Sequence, residues 1–188
     1  MVKIKLNKKV TFGLIGVLSF FLLTLVYSLF VGLSLKKPGT SLANHLKASL
    51  SAVQNKDLNT AKDSLAQAHR DLEKVNKKFN LVSWVKYTPF FGGYIKDADH
   101  AFIAVGHGLD TADILLEAIA PYADVMGFAG SETMEGVESA EDKIIFILDT
   151  LGKISPQLDE VSSKAILIES EISQINPKRY PKSIKGVA

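Results

Sequence analysis

Apolar residues recur every three or four positions along most of this chain. Between residues 58 and 79 they advance in steps of 3, 4, 3, 4, 3 and 4. This spacing places one side chain of each half-heptad on a single stripe of an α-helix, as in coiled coils. A shorter stripe at residues 42–53 precedes it, and a polar segment at residues 55–57 separates the two. We therefore predict a helical hairpin, with Asp57 or Asn59 as the N-cap of its second helix.

Residues 81–93 interrupt this helical pattern. They crowd aromatic side chains around Pro89 and the pair Gly92 and Gly93, residue types that end helices and allow tight turns. We call this segment, with the adjoining Tyr94, the aromatic corner. Aromatic side chains between helices belong either to the core or to a contact surface. The candidates for a contact surface are Trp84, Tyr87, Phe90, Phe91 and Tyr94.

The second half of the chain returns to the helical pattern. A stripe between residues 95 and 119 stops at Pro121, where a glycine-rich loop begins. A further patterned region ends at Gly152. Ser155 and Pro156 then predict the N-cap and first turn of a last helix. Its apolar stripe consists of Leu158, Val161, Ala165, Ile168, Ile172 and Ile175, and the helix ends before Pro177.

A run of 26 residues without a charged side chain covers positions 10–35. At about 1.5 Å per residue it forms about 39 Å of helix, more than the roughly 30 Å hydrocarbon core of a bilayer. A cleaved signal peptide is the alternative interpretation, but its apolar region usually spans only about 7–15 residues. No small-x-small cleavage site follows the run. We therefore predict an uncleaved transmembrane signal anchor.

Lysines on the two sides of this run predict its orientation. Four lysines lie within residues 1–9, against Lys36, Lys37 and Lys47 after the run, which favours a cytoplasmic N-terminus. Residues 1–9 are then a cytoplasmic basic N-terminus, and the chain after residue 38 lies outside the cytoplasm. The protein is expected in the cell membrane as a single-pass protein.

No alternating strand pattern of useful length occurs in the sequence. The predicted fold is all-α, with one N-terminal transmembrane helix followed by an antiparallel helical bundle or an elongated helical stalk over residues 38–177. Residues 178–188 contain four basic residues and no core pattern. We expect them to be a basic linker that is cut short, so that Ala188 need not be the natural C-terminus.

Charge is distributed unevenly. Residues 1–37 carry +6, whereas the remainder has 16 basic and 20 acidic residues and a net charge of −4. Within that remainder, basic residues are concentrated in the part next to the predicted membrane helix. Residues 97–142, by contrast, contain 11 acidic residues and no Lys or Arg. The lysines can contact anionic headgroups or pair with acidic helix faces. Because this part is acidic and lacks an RNA-binding signature, nucleic acid is not an expected partner.

Candidate chemistry is sparse. The chain has no cysteine, which excludes thiolate catalysis and Cys-type metal sites. His100 and His107 lie near several aspartates, but about 10.5 Å of helix separates them, and both lie opposite the apolar stripe. We expect them to be exposed and expect no metal or other cofactor. Without a catalytic motif, the chain is not expected to be an enzyme.

Three segments together resemble one bacterial family. They are the turn and helix at 55–72, the corner Thr88-Pro89-Phe90-Phe91-Gly92-Gly93 with the long helix after it, and Asn176-Pro177-Lys178-Arg179-Tyr180-Pro181. This chain resembles the N-terminal region of the bacterial domain-of-unknown-function family four thousand and twelve. The family usually has small aliphatic residues where Phe90 and Phe91 stand here. The resemblance implies a membrane helix, a helical stalk, an envelope location and a larger domain beyond Ala188, and it implies no catalytic residue.

These patterns predict a membrane-anchored cell-envelope protein with a helical stalk or interaction module. Two other function classes stay open, namely a sensor domain of a receptor and the spacer of an envelope-polymer enzyme whose catalytic domain follows residue 188. The expected partners are the lipid bilayer and either another envelope protein or a second copy of the chain. Self-association would bury apolar surface that a single chain leaves exposed.

Overall fold

Four long helices make up the protein in a computed structural model that describes residues 8–88, 91–123, 127–128 and 140–180. They are α1 (Lys8–Gln54), α2 (Leu58–Phe79), α3 (Gly92–Ile119) and α4 (Ala140–Gln174). Short 3-10 turns lie at Ser83–Tyr87, Ala120–Tyr122 and Pro177–Arg179. No strand occurs in the described ranges, which confirms the all-α prediction.

Consecutive helices pack against each other, and the contacts of α1 with α2 and of α3 with α4 are more extensive than that of α2 with α3. The consecutive helices are antiparallel, because residue numbers fall along one helix as those of their partners rise along the other, and His69 of α2 meets Asp113 of α3. For example, Phe79 near the end of α2 meets Phe102 in α3 with ring centroids 5.0 Å apart. The predicted antiparallel, bundle-like packing is therefore present.

The hairpin of α1 and α2 matches the prediction. Lys56 adopts a positive φ of 57° in the turn, and Asp57 is the N-cap of α2. The Asp57 carboxylate accepts hydrogen bonds from the backbone N of Thr60 at 2.9 Å and from its hydroxyl at 2.6 Å. Hydrogen bonding to Thr60 lowers the pKa of Asp57 below its usual value. The cap thus satisfies a backbone donor that the first turn cannot satisfy itself.

The core consists of two apolar clusters. The larger one joins α1, α2 and α3 around the fully buried Leu65 and Leu109. The smaller one joins Val31 of α1 to Phe79, Val82 and Val85. The predicted α2 stripe is buried at all of its positions: Leu58, Ala61, Leu65, Ala68, Leu72, Val75 and Phe79.

Helix α1 continues without a break through Pro38, where the sequence suggested a boundary. Proline cannot donate the backbone hydrogen bond to the residue four positions earlier, which is Ser34. The Nζ of Lys78 in α2 donates to the Ser34 carbonyl oxygen instead, at 3.0 Å. This contact from the neighbouring helix satisfies the free carbonyl within α1, which extends over 47 residues.

The prediction of a helix break near Gly152 is wrong, because α4 runs through Gly152, Ser155 and Pro156. Pro156 has no amide hydrogen to donate to the Gly152 carbonyl oxygen. Both residues are exposed, and an unpaired carbonyl costs little free energy at an exposed position. The stripe predicted for this helix is also partly wrong. Leu158 and Ala165 are exposed, whereas Lys164 and Glu171 lie at the contact with α3.

The predicted membrane span at residues 10–35 has its backbone within α1, but most of its side chains before Leu22 lie outside the described residues. Across the residues described, none of the helices contains a stretch that is both long and apolar enough to cross a bilayer.

Candidate functional site

The aromatic corner connects α2 to α3 and packs against α1. Its chain turns through Ser83–Tyr87 and inserts Val82 and Val85 into the smaller core cluster. Both valines are buried, whereas Trp84 between them and Tyr87 after them are exposed. Two aliphatic side chains therefore attach the corner to the fold and leave its aromatic side chains available for contact.

Four of the five aromatic residues predicted as a contact surface are exposed. Their exposed fractions are 41% for Trp84, 81% for Tyr87, 55% for Phe91 and 44% for Tyr94. Phe90 lies outside the described residues. Of the two sequence interpretations, core or contact surface, the structure therefore supports a surface for these four side chains.

Gly92 is the first residue of α3 and lies directly against the backbone of the corner. A Cβ added at Gly92 would lie 2.4 Å from the Lys86 carbonyl oxygen, a distance that no side chain tolerates. The prediction that Gly92 and Gly93 stand outside the helices is wrong, since both belong to the first turn of α3. The absence of side chains at these positions lets α3 begin directly against the backbone of the corner.

An apolar groove of about 810 Å³ lies between α1 and the corner. Its walls come from α1 between positions 24 and 35, from the corner, and from α3 between positions 94 and 102. Trp84, Phe91 and Tyr94 stand at its edge and are exposed. The groove thus joins the predicted contact surface to the end of the uncharged run of α1.

The buried Asp97 attaches the end of the described chain beside this surface. Its carboxylate accepts hydrogen bonds from Arg179 Nη1 at 2.6 Å, from the Tyr180 hydroxyl at 3.2 Å and from the backbone N of Asn176 at 3.3 Å. Burial, together with the Asp97 charge and hydrogen bond, raises the pKa of Tyr180 above its usual value. The Tyr94 hydroxyl also donates to the Arg179 carbonyl oxygen at 3.2 Å. The start of the predicted basic linker is therefore bound to α3.

Histidine–carboxylate pairs join the consecutive helices. His45 Nδ1 of α1 lies 2.8 Å from Asp71 Oδ2 of α2, and two further pairs, each at 2.6 Å, link α2 to α3 and α3 to α4: His69–Asp113 and His100–Glu171. Sequence reasoning missed all three pairs. It also predicted exposed positions for His100 and His107, and both are partly buried because α4 covers that face of α3.

The pKa of the Asp71 carboxylate is strongly lowered. Hydrogen bonds from Lys74 and Ser41, and a weaker one with His45, lower the pKa of Asp71 to about 2. Its side chain is buried, and Lys74 Nζ lies 2.7 Å from Oδ1. These contacts hold a charged group inside the α1–α2 interface and fix the register of the hairpin.

Within the described ranges, no group of three His, Asp or Glu side chains is arranged to hold a metal ion. The histidine pairs are spread over three different helix contacts. The arrangement stabilises helix pairing, and the aromatic corner with its groove is a candidate surface for binding another molecule.

Comparison with known proteins gives no relative. No protein family, curated protein or solved structure matches this chain. The function must therefore be argued from the corner, the groove and α1.

Proposed function

We propose that this chain is a single-pass, membrane-anchored protein of the cell envelope whose helical array is an interaction module outside the cytoplasm. The observation that carries the proposal is the continuity of α1. One helix of 47 residues, about 70 Å long, contains the uncharged run and also supplies a wall of the core. An anchor of this kind holds the module at a fixed position above the bilayer.

The path of the chain favours an interaction module over an elongated spacer. Helix α4 returns to the aromatic corner, where Tyr180 packs edge-on against Tyr94 with ring centroids 5.7 Å apart. The corner in turn packs on α1 at Val31. Tyr180, the last described residue, thus lies at the end of the array where the uncharged run enters it. A spacer that carries a domain away from the membrane would instead release the chain at the far end.

Helix α4 supplies the surface that we propose for a protein partner. This helix exposes aliphatic side chains along its length, with exposed fractions of 59% for Ile144, 64% for Leu148 and 64% for Ile166. Exposed apolar stripes on helices are typical of contacts with another helix. A second copy of the chain can be tested directly, because a cysteine introduced at Ile166 must form a disulfide-linked dimer under mild oxidation. Glu160→Cys, which lies on another side of α4, is the control that must stay monomeric.

The family resemblance agrees with an envelope location, and membership stays a prediction. Neither the sensor interpretation nor the enzyme-spacer interpretation has a specific contact in its favour. The same array would also serve a longer protein as its membrane-proximal module.

Single-cysteine labelling tests the anchor and its orientation, since the natural chain has no cysteine. Asn7→Cys and Gln67→Cys are expressed in a bacterial host and exposed to a membrane-impermeant maleimide. Gln67 is exposed on α2. We expect labelling of Gln67→Cys in intact spheroplasts and of Asn7→Cys only after permeabilisation, with both variants retained in the membrane pellet after alkaline extraction. The reverse labelling would refute the orientation, and release by alkali would refute the anchor.

A further inference from the structure

The exposed side chains of the aromatic corner are the residue types that concentrate at bilayer interfaces. Trp84, Tyr87 and Tyr94 combine an apolar ring with a polar group, and Trp and Tyr with these properties form belts at the headgroup level. On the part of α1 that lines the groove, Leu29 and Leu33 are 62% and 67% exposed. An apolar surface of this extent is typical of a protein or membrane contact.

The position of the corner along α1 points to the membrane rather than to a protein. The uncharged run exceeds the roughly 30 Å hydrocarbon core by about 9 Å, or about six residues. The last six residues of the run are 30–35, and the corner packs on this stretch through Val31 and Leu35. A span that begins at residue 10 therefore places the corner just outside the hydrocarbon core, in the headgroup layer.

The charges around the corner complement anionic headgroups. No Asp or Glu occurs between residues 74 and 96, a segment that contains five lysines. Lys36 and Lys37 follow the uncharged run and are exposed. Lys86 Nζ lies 5.4 Å from the centre of the Tyr87 ring. Lysines near a bilayer surface attract anionic lipids.

We propose that the aromatic corner lies in the headgroup layer of the leaflet from which α1 emerges, where it binds anionic phospholipids and takes their acyl chains into the apolar groove. The groove fits this ligand because α1 residues from the uncharged run form one wall and Trp84, Phe91 and Tyr94 form its edge. The inference rests on the proposed membrane anchor. The inference adds a lipid-binding site to the anchored protein and predicts the depth of the module relative to the bilayer.

Trp84 is the sole tryptophan of the chain, so its fluorescence reports on the corner without any labelling. The full chain is reconstituted in vesicles of phosphatidylcholine and phosphatidylglycerol that carry bromine atoms either near the headgroup or near the end of the acyl chain. We expect shallow bromines to quench Trp84 at least about twofold more than deep ones, as for interfacial aromatic residues. Bromine on phosphatidylglycerol must quench more than bromine on phosphatidylcholine, and equal quenching would overturn the anionic preference.

Two variants separate this proposal from the anchor itself. In a Trp84→Phe background, Leu22→Trp places the probe in the predicted span, and Leu115→Trp places it near the far end of α3. We expect quenching at position 22 and none at position 115. Quenching at position 22 without quenching of Trp84 would overturn the lipid site and leave the anchor intact. If neither position 22 nor Trp84 is quenched, both proposals fail, and equal quenching at position 115 would overturn the orientation of the module.

Discussion

The Nζ of Lys78 donates a hydrogen bond to the carbonyl oxygen of Ser34, the acceptor that Pro38 leaves without its backbone donor in α1. One side chain of α2 thereby compensates a defect in the neighbouring helix. The contact lies one turn from Val31, where the aromatic corner packs on α1. It therefore stabilises the part of α1 that joins the uncharged run to the module.

Replacing Lys78 should destabilise the protein, because the Ser34 carbonyl oxygen then loses its hydrogen-bond donor. A hydrogen bond from a charged donor contributes roughly 1.5–3 kcal/mol, so we expect Lys78→Ala to cost about 1–2 kcal/mol of unfolding free energy at this partly exposed position. Lys77→Ala removes only an exposed ion pair with Glu73 and should cost clearly less than Lys78→Ala. Urea unfolding of the full chain in detergent, followed by circular dichroism, measures both.

Pro38→Ala provides the decisive test of that mechanism. Alanine restores the backbone N–H at position 38, which can then donate to Ser34, so Lys78→Ala should cost clearly less in this background. An equal cost with and without Pro38 would show that Lys78 acts by some other contact.

The protein should become less stable in acid, because protonation of Asp71 weakens its hydrogen bonds and its ion pair. Its pKa is lowered to about 2 in the folded protein, so the stabilisation is complete above the ordinary pKa of about 3.8 and is lost as the pH falls from about 4 to 2. The shift corresponds to about 2 kcal/mol. Chemical unfolding at several pH values should show this loss in the natural protein and a flatter profile in Asp71→Asn. The exposed Asp63→Asn is the control, and a profile like that of Asp71→Asn would contradict the assignment.

Two glycines of α3 should respond to alanine with opposite signs. Gly92→Ala places a Cβ against the Lys86 carbonyl oxygen and should destabilise the protein by at least about 2 kcal/mol, because backbone must move. No atom lies within 4 Å of a Cβ at Gly108, so Gly108→Ala should stabilise α3 by up to about 1 kcal/mol. Thermal unfolding compares the two. A tolerated Gly92→Ala would refute the close approach of α3 to the corner.

Loss of the Asp97 carboxylate should release the segment 176–180 from α3. Asp97→Asn weakens the contacts with Arg179 and Tyr180 inside a buried site, where removing one partner typically costs roughly 3–5 kcal/mol, and the partial exposure of Arg179 reduces this to about 2 kcal/mol. Amide hydrogen exchange of residues 176–180 should accelerate at least about tenfold. Asp99→Asn is the matched control on α3. Unchanged exchange in Asp97→Asn would show that other contacts hold the segment.

Local patterns in the sequence determined the helices and one face of the core. The 3-4 spacing of α2 predicted its seven buried apolar residues, and the polar turn with Asp57 predicted the hairpin, because helical periodicity and capping depend on residues within a few positions of each other. The composition of the corner also indicated a candidate surface. For these features the chain needs no distant partner.

Tertiary packing decided the rest, because the outcome depended on groups far apart in the chain. The Ser34 carbonyl that Pro38 leaves without its backbone donor is satisfied by a lysine 40 positions after the proline. Helix α4 covered a face of α3 that looked exposed, and Asp97 was buried by residues about 80 positions away. The aromatic side chains of the corner could have filled a core, but they are exposed, and Val82 and Val85 occupy the interior at this place. Local propensity differences are small, and interhelical contacts of one or two kcal/mol are enough to override them.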